Sequence, residues 1–370
     1  MSDESRDFLY RLLATPGVSG DEQRVQSVVR QYASSFCDSI DFDLHGNLTL
    51  SINPESNSRV MLAGHADQIG LLVSQIDDNG FLNFQTVGGW DPQQLIGQRV
   101  QVWTENGCVP GVISRKPIHL LEESERNTVV KFTEMWIDIG SANQEQSRQL
   151  VRVGDPVTMQ MGHQELYGGA ITAVALDNRV GVWTVVEGLR RAKLQGARVG
   201  VFAVSTVAEE IGLRGATTSA ERIRPHVGIA VDVTHATDCP TIDRRQLGEV
   251  SLGKGPVIFR GPNMNPEVVR RLRETAERLG LKHQMAALGR AAPNDSNAIQ
   301  ISGHGVATGL VAIPNRYMHS AVEVCQWDDL DAAANLLGDF CAGLNETDSF
   351  IPQPPKSLSP KGSDPLRRVS

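Results

Sequence analysis

Apolar runs of strand length alternate with helical patterns throughout the second half of the chain. Runs such as "VGVFAVSTVA" (199–208) and "VGIAVDVT" (227–234) are too apolar for a strand with one face in water. Helical patterns with apolar residues three or four apart lie between and after these runs. Repeated units of strand and helix form sheets with helices on both faces. The alternation therefore predicts an α/β fold whose sheet is mixed but mostly parallel.

The middle of the chain has β-strand patterns without helical periodicity. The stretches "GLLVSQIDDNGFLNFQTVGG" and "QRVQVWTENGCVPGVIS" each place Asn-Gly between two β patterns, as in a hairpin. Successive hairpins without helical patterns are typical of a small barrel or sandwich. We therefore expect an inserted all-β, barrel-like domain and a final Pro- and Ser-rich tail that is disordered. The expected boundaries are 1–67 and 168–345 for the α/β domain, 68–167 for the insert, and 346–370 for the tail.

The N-terminal segment predicts two helices. Phe8, Leu9, Leu12 and Leu13 recur at helical spacing, which favours a helix over residues 3–14. Ser19 and Glu22 then match the capping-box pattern, in which both side chains bind backbone N–H groups of a helix start. A second helix is therefore predicted to open at Ser19.

Charge and cysteine content exclude several classes of function. The formal net charge is −8, which argues against a basic surface for nucleic acid or anionic membranes. No run approaches the roughly 18 apolar residues of a membrane span, and the acidic N-terminus is unlike a signal peptide. The five cysteines are scattered without CxxC spacing, as expected for free thiols in a reducing compartment. We expect a cytoplasmic protein without nucleic-acid or membrane partners.

Histidines and acids follow several of the predicted strands. In a mostly parallel sheet, the carboxyl ends of the strands meet at one edge, where ligands bind. Imidazole and carboxylate groups without thiolates suit zinc, cobalt or manganese. The set is too large for one catalytic ion, but it suits two ions that share a carboxylate. Its members are His65 and Asp67 in "LAGHAD", Asp177 in "VALDNR", Glu209 and Glu210 in "STVAEE", Asp232 in "AVDVT", and His319 in "PNRYMHS".

Each of these residues also has a structural interpretation. A histidine at a strand end is often simply hydrogen-bonded, and an isolated Glu-Glu pair is usually part of a solvated loop. From the residues alone, a metal site and a set of structural polar residues both stay open. Asp67 is best interpreted as an acid that orients the ring of His65.

Motifs along almost the whole chain resemble the tetrahedral (TET) aminopeptidases, a family of exopeptidases with two metal ions. The matching stretches are "GHADQIG", "GGAITAVALDNRVGVW", "AEEIGLRGA", "VGIAVDVTHATDCP", "NDSNAIQ" and "IPNRYMHSAVEV". The β-rich segment lies between His65 and Asp177, whereas related carboxypeptidases carry an extra domain between the positions equivalent to Asp232 and His319. This placement favours the TET group.

The resemblance implies a role for each site residue. His65 and Asp232 would hold one metal ion, Glu210 and His319 the other, and Asp177 would bridge them. Glu209 would be the general base toward the attacking water, and Asp67 would assist catalysis through His65. The implied activity is hydrolysis of the N-terminal peptide bond of short peptides, with two divalent ions per subunit. Zinc is the first expectation, with cobalt and manganese as alternatives. The implied assembly is a homo-oligomer, for which the family's common form is a tetrahedral dodecamer built through the inserted domain.

The chain departs from the family pattern at three places. Asn178 and Gln68 stand where the family has acids, and the Asp177–Asn178 bond resembles one that is cis in related enzymes. The turn "RAAPNDSNA" replaces a Gly-Gly-Thr-Asp-Ala sequence, which puts the role of Asp295 in question. Two other functions are weighed beside the aminopeptidase: a glycoside hydrolase that uses a carboxylate pair, and a non-catalytic scaffold on a peptidase fold.

Overall fold

The computed structural model describes residues 2–353, with the backbone alone at positions 246 and 247. The helices are α1 (Asp3–Ala14), α2 (Gln23–Ala33), α3 (Pro92–Leu95), α4 (Glu123–Arg126), α5 (Gln144–Leu150), α6 (Leu176–Leu194), α7 (Arg214–Ile223), α8 (Arg244–Leu247), α9 (Pro266–Arg278), α10 (Asp295–Gln300) and α11 (Trp327–Ala342). The strands are β1 (Ser39–Phe42), β2 (Leu48–Ile52), β3 (Arg59–His65), β4 (Gly70–Ile76), β5 (Leu82–Val87), β6 (Arg99–Thr104), β7 (Gly107–Arg115), β8 (Met135–Asp138), β9 (Pro156–Met159), β10 (His163–Glu165), β11 (Ala170–Ala173), β12 (Gly200–Thr206), β13 (Val227–His235), β14 (Val257–Arg260), β15 (Gln284–Ala287), β16 (Ala307–Asn315) and β17 (Glu323–Gln326).

The central sheet of the described chain has the strand order β1-β2-β12-β3-β13-β16-β14-β15. Its middle strands β12, β3, β13 and β16 run parallel, whereas β2 and β14 pair antiparallel with their inner neighbours. The predicted fold class, an α/β fold with a mixed, mostly parallel sheet, is confirmed. The parallel strands end at the same edge, so the segments that follow them are brought together there.

Helices α6 and α11 pack against each other and cover one face of this sheet. The buried side chains of Leu62, Trp183, Val186 and Leu337 belong to this core. Trp183 also donates its indole N–H to the carbonyl oxygen of Ser5, 2.8 Å away, which fixes α1 against α6. Burying one such side chain contributes roughly 1.5–3 kcal/mol, so this layer holds the start of α6 firmly beside the sheet edge.

The β-rich segment forms a closed barrel with the strand order β4-β5-β8-β7-β6-β9. Both predicted hairpins are present, since β4 pairs antiparallel with β5 and β6 with β7. The barrel has its own core, which includes Leu71, Val102, Ile137 and Val157. The barrel strands lie between Gly70 and Met159, and the domain boundaries at 68 and 167 stay a prediction.

A small sheet of β10, β11 and β17 was not predicted. Its strands have three or four residues each, too few to show a period-two pattern. Ala173 of β11 lies opposite Glu323 of β17. This pairing brings Glu323 close to the start of α6.

The predicted capping box at Ser19 and Glu22 is wrong. Helix α2 begins at Gln23, and Glu22 precedes it without capping it through its side chain. The Ser19 hydroxyl instead donates to Asp67 Oδ2 at 2.7 Å, and Glu22 Oε1 accepts from the backbone N–H of Ala208 at 3.1 Å. Both side chains bind residues that are distant in sequence, so they support the sheet edge.

The C-terminal part that the structure describes lies against α9. The side-chain amide of Asn265 donates to the carbonyl oxygen of Phe350 at 2.8 Å, and the Arg271 guanidinium lies 4.8 Å from the centre of the Phe350 ring. Positions 354–370 of the predicted disordered tail lie outside the described residues. Within residues 2–353, no helix is both long enough and apolar enough to cross a membrane.

Candidate metal centre

The predicted site residues meet at the carboxyl edge of the central sheet. His65 is the last residue of β3, and Asp232 lies near the end of β13. Glu209 and Glu210 follow β12, while His319 follows β16. These residues come from neighbouring parallel strands, so the strand order alone places them side by side. Asp177 joins them from the first turn of α6.

Asp177 lies between the two histidines. Its Oδ1 is 3.2 Å from Nε2 of His65, and its Oδ2 is 3.4 Å from Nε2 of His319. One carboxylate therefore presents a separate oxygen to each imidazole. This is the arrangement expected of a carboxylate that bridges two ions.

The remaining acids fall on opposite sides of Asp177. Glu210 Oε1 lies 3.4 Å from His319 Nε2, and Asp232 Oδ1 lies 3.7 Å from His65 Nε2. Within the described residues, two groups of three have ligand atoms all within 4.8 Å of one another. The groups are His65 with Asp177 and Glu210, and His65 with Glu209 and Asp232. The structure thus brings all the predicted ligands together, and Glu209 with them.

Asp67 is fully buried beside these clustered histidines and acids. Its Oδ1 is 3.4 Å and its carbonyl oxygen 3.2 Å from Nδ1 of His65, so the other ring nitrogen, Nε2, faces the acids. The carboxylate also accepts the backbone N–H groups of Glu209, at 3.0 Å, and Glu210, at 3.1 Å. Asp67 therefore holds one histidine and both glutamates in place.

The site concentrates negative charge. Burial raises the pKa of Glu209 well above its usual value, and burial also raises the pKa of Glu210 and of Asp232. Asp177 and Glu210, whose carboxylates accept hydrogen bonds from the protonated ring, raise the pKa of His319 to about 11. Burial alone would lower the pKa of His65, but Glu209, Asp177 and the other nearby acids raise it well above its usual value.

Two causes produce these directions: burial removes the carboxylates from water, and the surrounding negative charge favours the protonated imidazoles. A field that holds protons on imidazoles also attracts divalent cations. The donors are imidazole nitrogens and carboxylate oxygens, which suit zinc, cobalt or manganese. The residues present therefore fit a metal centre.

Several backbone conformations around the site are unusual. Ala175, Ala208 and His319 have φ values of +62°, +54° and +60°, in the left-handed region that residues other than glycine rarely adopt. The Asp177–Asn178 peptide bond is cis. Left-handed residues of this kind cluster at functional sites, where the surrounding structure imposes them.

The barrel contributes directly to this site through the turn after β5. Nδ1 of His319 lies 2.9 Å from the carbonyl oxygen of Gly89, so the ring donates its N–H there and presents Nε2 to the acids. The turn itself is held by the Trp90 indole, which donates to the carbonyl oxygen of Gly70 at 3.0 Å. The inserted segment thus sets the orientation of a predicted ligand.

The residues that depart from the family pattern have partners in the structure. The Asn178 side chain donates to the carbonyl oxygen of Val231 at 2.8 Å and accepts the N–H of Gly181 at 2.9 Å. Gln68 accepts from the buried Arg179 at 3.1 Å. Asp295 is buried and accepts the Thr206 hydroxyl at 2.6 Å, outside both groups of clustered ligand atoms.

Sequence reasoning missed one residue of the site, Glu323. The residue is 2% exposed, and its carboxylate accepts backbone N–H groups from both Asp177 and His319. A weak signal was available, because Glu323 is a lone acid beside apolar residues in "HSAVEVC". A buried carboxylate with no cation beside it generally binds backbone donors.

Comparison with known proteins identifies relatives of this chain. A family model described as M42 glutamyl aminopeptidase matches residues 46–336. The lysyl aminopeptidase of Pyrococcus furiosus is 33% identical over 349 residues, covering 94% of this chain and 99% of that protein.

Two solved structures are also similar. A TET aminopeptidase from the marine sediment archaeon Thaumarchaeota archaeon SCGC AB-539-E09 has a TM-score of 0.89 and 31% identity, covering 93% of this chain and 97% of its own. The Pyrococcus horikoshii TET1 peptidase, which can assemble into a tetrahedron or a large octahedral shell, has a TM-score of 0.82 and 30% identity, covering 92% of this chain and 100% of its own. The chain belongs to the M42 glutamyl aminopeptidase family, among its TET-type members.

Proposed function

We propose that the protein is a metal-dependent aminopeptidase that removes residues from the N-terminus of short peptides. The observation that carries this proposal is the position of Asp177, with one carboxylate oxygen toward each histidine. The names of the relatives support the peptidase activity. The residues that would hold two divalent ions are His65 and Asp232, Glu210 and His319, with Asp177 shared between the pairs.

Divalent ions held by these residues would supply polarisation of the scissile carbonyl group and a lower pKa for a water molecule. The chain's own groups supply proton transfer and orientation. In this proposal Glu209 accepts a proton from the attacking water and returns it to the leaving amine. Its backbone is held by Asp67, whose carboxylate accepts its N–H at 3.0 Å. Asp67 thereby fixes the base and the His65 ring together.

Assembly and location are part of the proposal. The TET1 peptidase of P. horikoshii can assemble into a tetrahedron or a large octahedral shell, and we extend homo-oligomer formation, with a dodecamer as the expected form, to this chain. A monomeric mass in light scattering would contradict that extension. The cysteines at 37, 108, 239, 325 and 341 are free, which favours a cytoplasmic location, and cell fractionation tests it.

The decisive experiment is a panel of aminoacyl chromogenic substrates with N-acetylated counterparts. We expect hydrolysis of free-amine substrates by protein loaded with zinc, cobalt or manganese, and loss of that activity in EDTA. N-acetylated controls should stay intact, because an aminopeptidase requires a free N-terminus. Activity that survives complete removal of metal would contradict the proposal and favour a metal-free mechanism such as glycoside hydrolysis. Absence of both bound metal and activity would favour a scaffold.

Gly88 offers a test of the barrel's contribution to the site. It has φ +76°, and an added Cβ would lie 2.4 Å from Ile69 Cγ2 and 3.4 Å from Glu210 Oε2. Gly88→Ala should therefore displace the turn that carries Gly89 and with it the His319 ring. We expect kcat/KM to fall by up to about 10²-fold, the effect of a displacement near 1 Å.

Gly97→Ala is the matched control for this change. Gly97 has φ +81°, but an added Cβ there meets nothing within 4 Å. Both variants carry a left-handed alanine, which costs about 1–2 kcal/mol of stability, but only Gly88→Ala should lose activity. Equal kcat/KM values in the two variants, measured with saturating metal, would show that the turn does not position His319.

A further inference from the structure

Glu323 begins strand β17 at the point where the small sheet reaches the metal centre. It faces Ala173 of β11, and its carboxylate lies among buried groups with only 2% of the residue exposed. In the described chain it makes no ion pair with Lys or Arg. Burial of such a carboxylate is costly in free energy, so its hydrogen-bond partners indicate its role.

Each carboxylate oxygen of Glu323 accepts a hydrogen bond, and the two donors belong to different segments that carry predicted metal ligands. Oε2 accepts the backbone N–H of Asp177 at 2.9 Å, and Oε1 accepts the backbone N–H of His319 at 2.9 Å. The side chains of these two residues also meet, since Asp177 Oδ2 lies 3.4 Å from His319 Nε2. The Glu323 carboxylate therefore links the backbones of Asp177 and His319, and the side chains of these two residues lie close to each other.

The His319 backbone needs this support. Its φ of +60° is in the left-handed region, as is the φ of +62° at Tyr317 two residues earlier. Residues other than glycine hold this conformation only where neighbouring contacts impose it. The bond to Glu323 restrains the backbone of His319, while Gly89 restrains its ring.

We propose that Glu323 is a positioning residue, which sets the backbones of Asp177 and His319 so that both side chains reach the same metal ion. This inference rests on the proposed function, because it assumes that the two residues are ligands. Glu323 itself touches neither an ion nor the reacting atoms in this assignment. Its effect should therefore be on metal affinity, with little effect on the chemical step once metal is bound.

The chemistry of the side chain explains why a glutamate is needed. A carboxylate offers two acceptors, whereas glutamine offers one acceptor and one NH₂ donor. In Glu323→Gln, one of the two backbone N–H groups would face the NH₂ group and lose its partner. Glu323→Asp keeps both acceptors but withdraws them by one methylene. Both variants should loosen the relation between Asp177 and His319.

The test is a metal titration of the full-length protein with zinc or cobalt in competition with a chromogenic chelator. Substitution of residues that hold metal ligands in place typically lowers affinity about 10–100-fold. We expect that loss for the more weakly bound ion in Glu323→Gln and in Glu323→Asp. The kcat measured at saturating metal should stay within several-fold of the parent value.

Glu187→Gln is the matched control. Glu187 is also fully buried, but its partners are Tyr32, Arg190 and Arg191, and it lies ten residues along α6 from Asp177. This substitution should lower the thermal unfolding midpoint of the apo-protein and leave metal affinity unchanged. A purely structural Glu323 would behave in the same way.

The outcomes separate the inference from the function on which it rests. A parent protein that binds no metal removes the proposed function, and the role of Glu323 with it. A parent that binds two ions, beside a Glu323→Gln or Glu323→Asp protein of unchanged affinity, overturns the inference alone. If Glu323→Gln does not fold, the metal affinity of Glu323→Asp is compared with that of the parent instead. Weaker binding in the folded Glu323 variant, with parent-like affinity in Glu187→Gln, supports the inference.

Discussion

Replacing Glu209 by glutamine should leave both ions bound and lower kcat by about 10²–10⁴-fold, the usual contribution of general acid–base catalysis. Glutamine keeps the shape of the side chain, and the backbone N–H of residue 209 keeps its bond to Asp67. The substitution therefore removes only the proposed proton acceptor. Elemental analysis of the purified variant measures the bound metal, and steady-state kinetics with saturating metal measure kcat.

The neighbouring substitution, Glu210→Gln, provides the comparison. Glu210 Oε1 lies 3.4 Å from His319 Nε2, on the side opposite Asp232. We expect weaker binding of one ion and activity that excess metal partly restores. Glu209 also lies within reach of His65 and Asp232, so the two glutamates could exchange roles. A Glu209→Gln protein rescued by metal, beside a Glu210→Gln protein that is inactive with both ions bound, would show that they do.

The second large effect is expected at Asp177. Its two oxygens face two histidines, and asparagine can offer only one oxygen and no negative charge. Asp177→Asn should therefore lose both ions and reduce activity by more than about 100-fold, the upper end of the effect of residues that only support a ligand. Bound metal per chain, measured after gel filtration without added metal, checks this result.

His319→Ala is the comparison for the bridging role. It removes one imidazole but leaves His65, Asp232 and Asp177 in place. We expect it to retain about one ion per chain, whereas Asp177→Asn retains none. The bridging assignment fails if Asp177→Asn keeps one ion as firmly as His319→Ala does.

Much of the fold and the composition of the site were predictable, because both depend on patterns along the chain. Apolar runs marked the parallel strands, and the acids and histidines directly after them came together once those strands became neighbours. His65 and Glu209 are far apart in sequence, yet β3 and β12 are paired in parallel, with Thr206 opposite His65. A rule about one edge of a sheet was sufficient to join them.

The residues that support the site were not predictable in the same way. Ser19 and Glu22 matched a local helix-start motif, but their partners are Asp67 and Ala208, which only the folded chain brings near. Glu323 depends on a short sheet whose strands lack a recognisable period. Sequence patterns report the periodicity of regular elements, whereas these hydrogen bonds depend on tertiary contacts between loops.

The hydrogen bond between Gly89 and the His319 ring has a consequence for recombination between relatives. A chimera that exchanges the barrel for that of another member also exchanges the turn that orients one imidazole. We expect such a chimera to keep the orientation of His319 only if its barrel has a compatible turn at positions 88–90. We therefore expect the sequence of the insert to be constrained at this short turn by the orientation that the His319 ring requires.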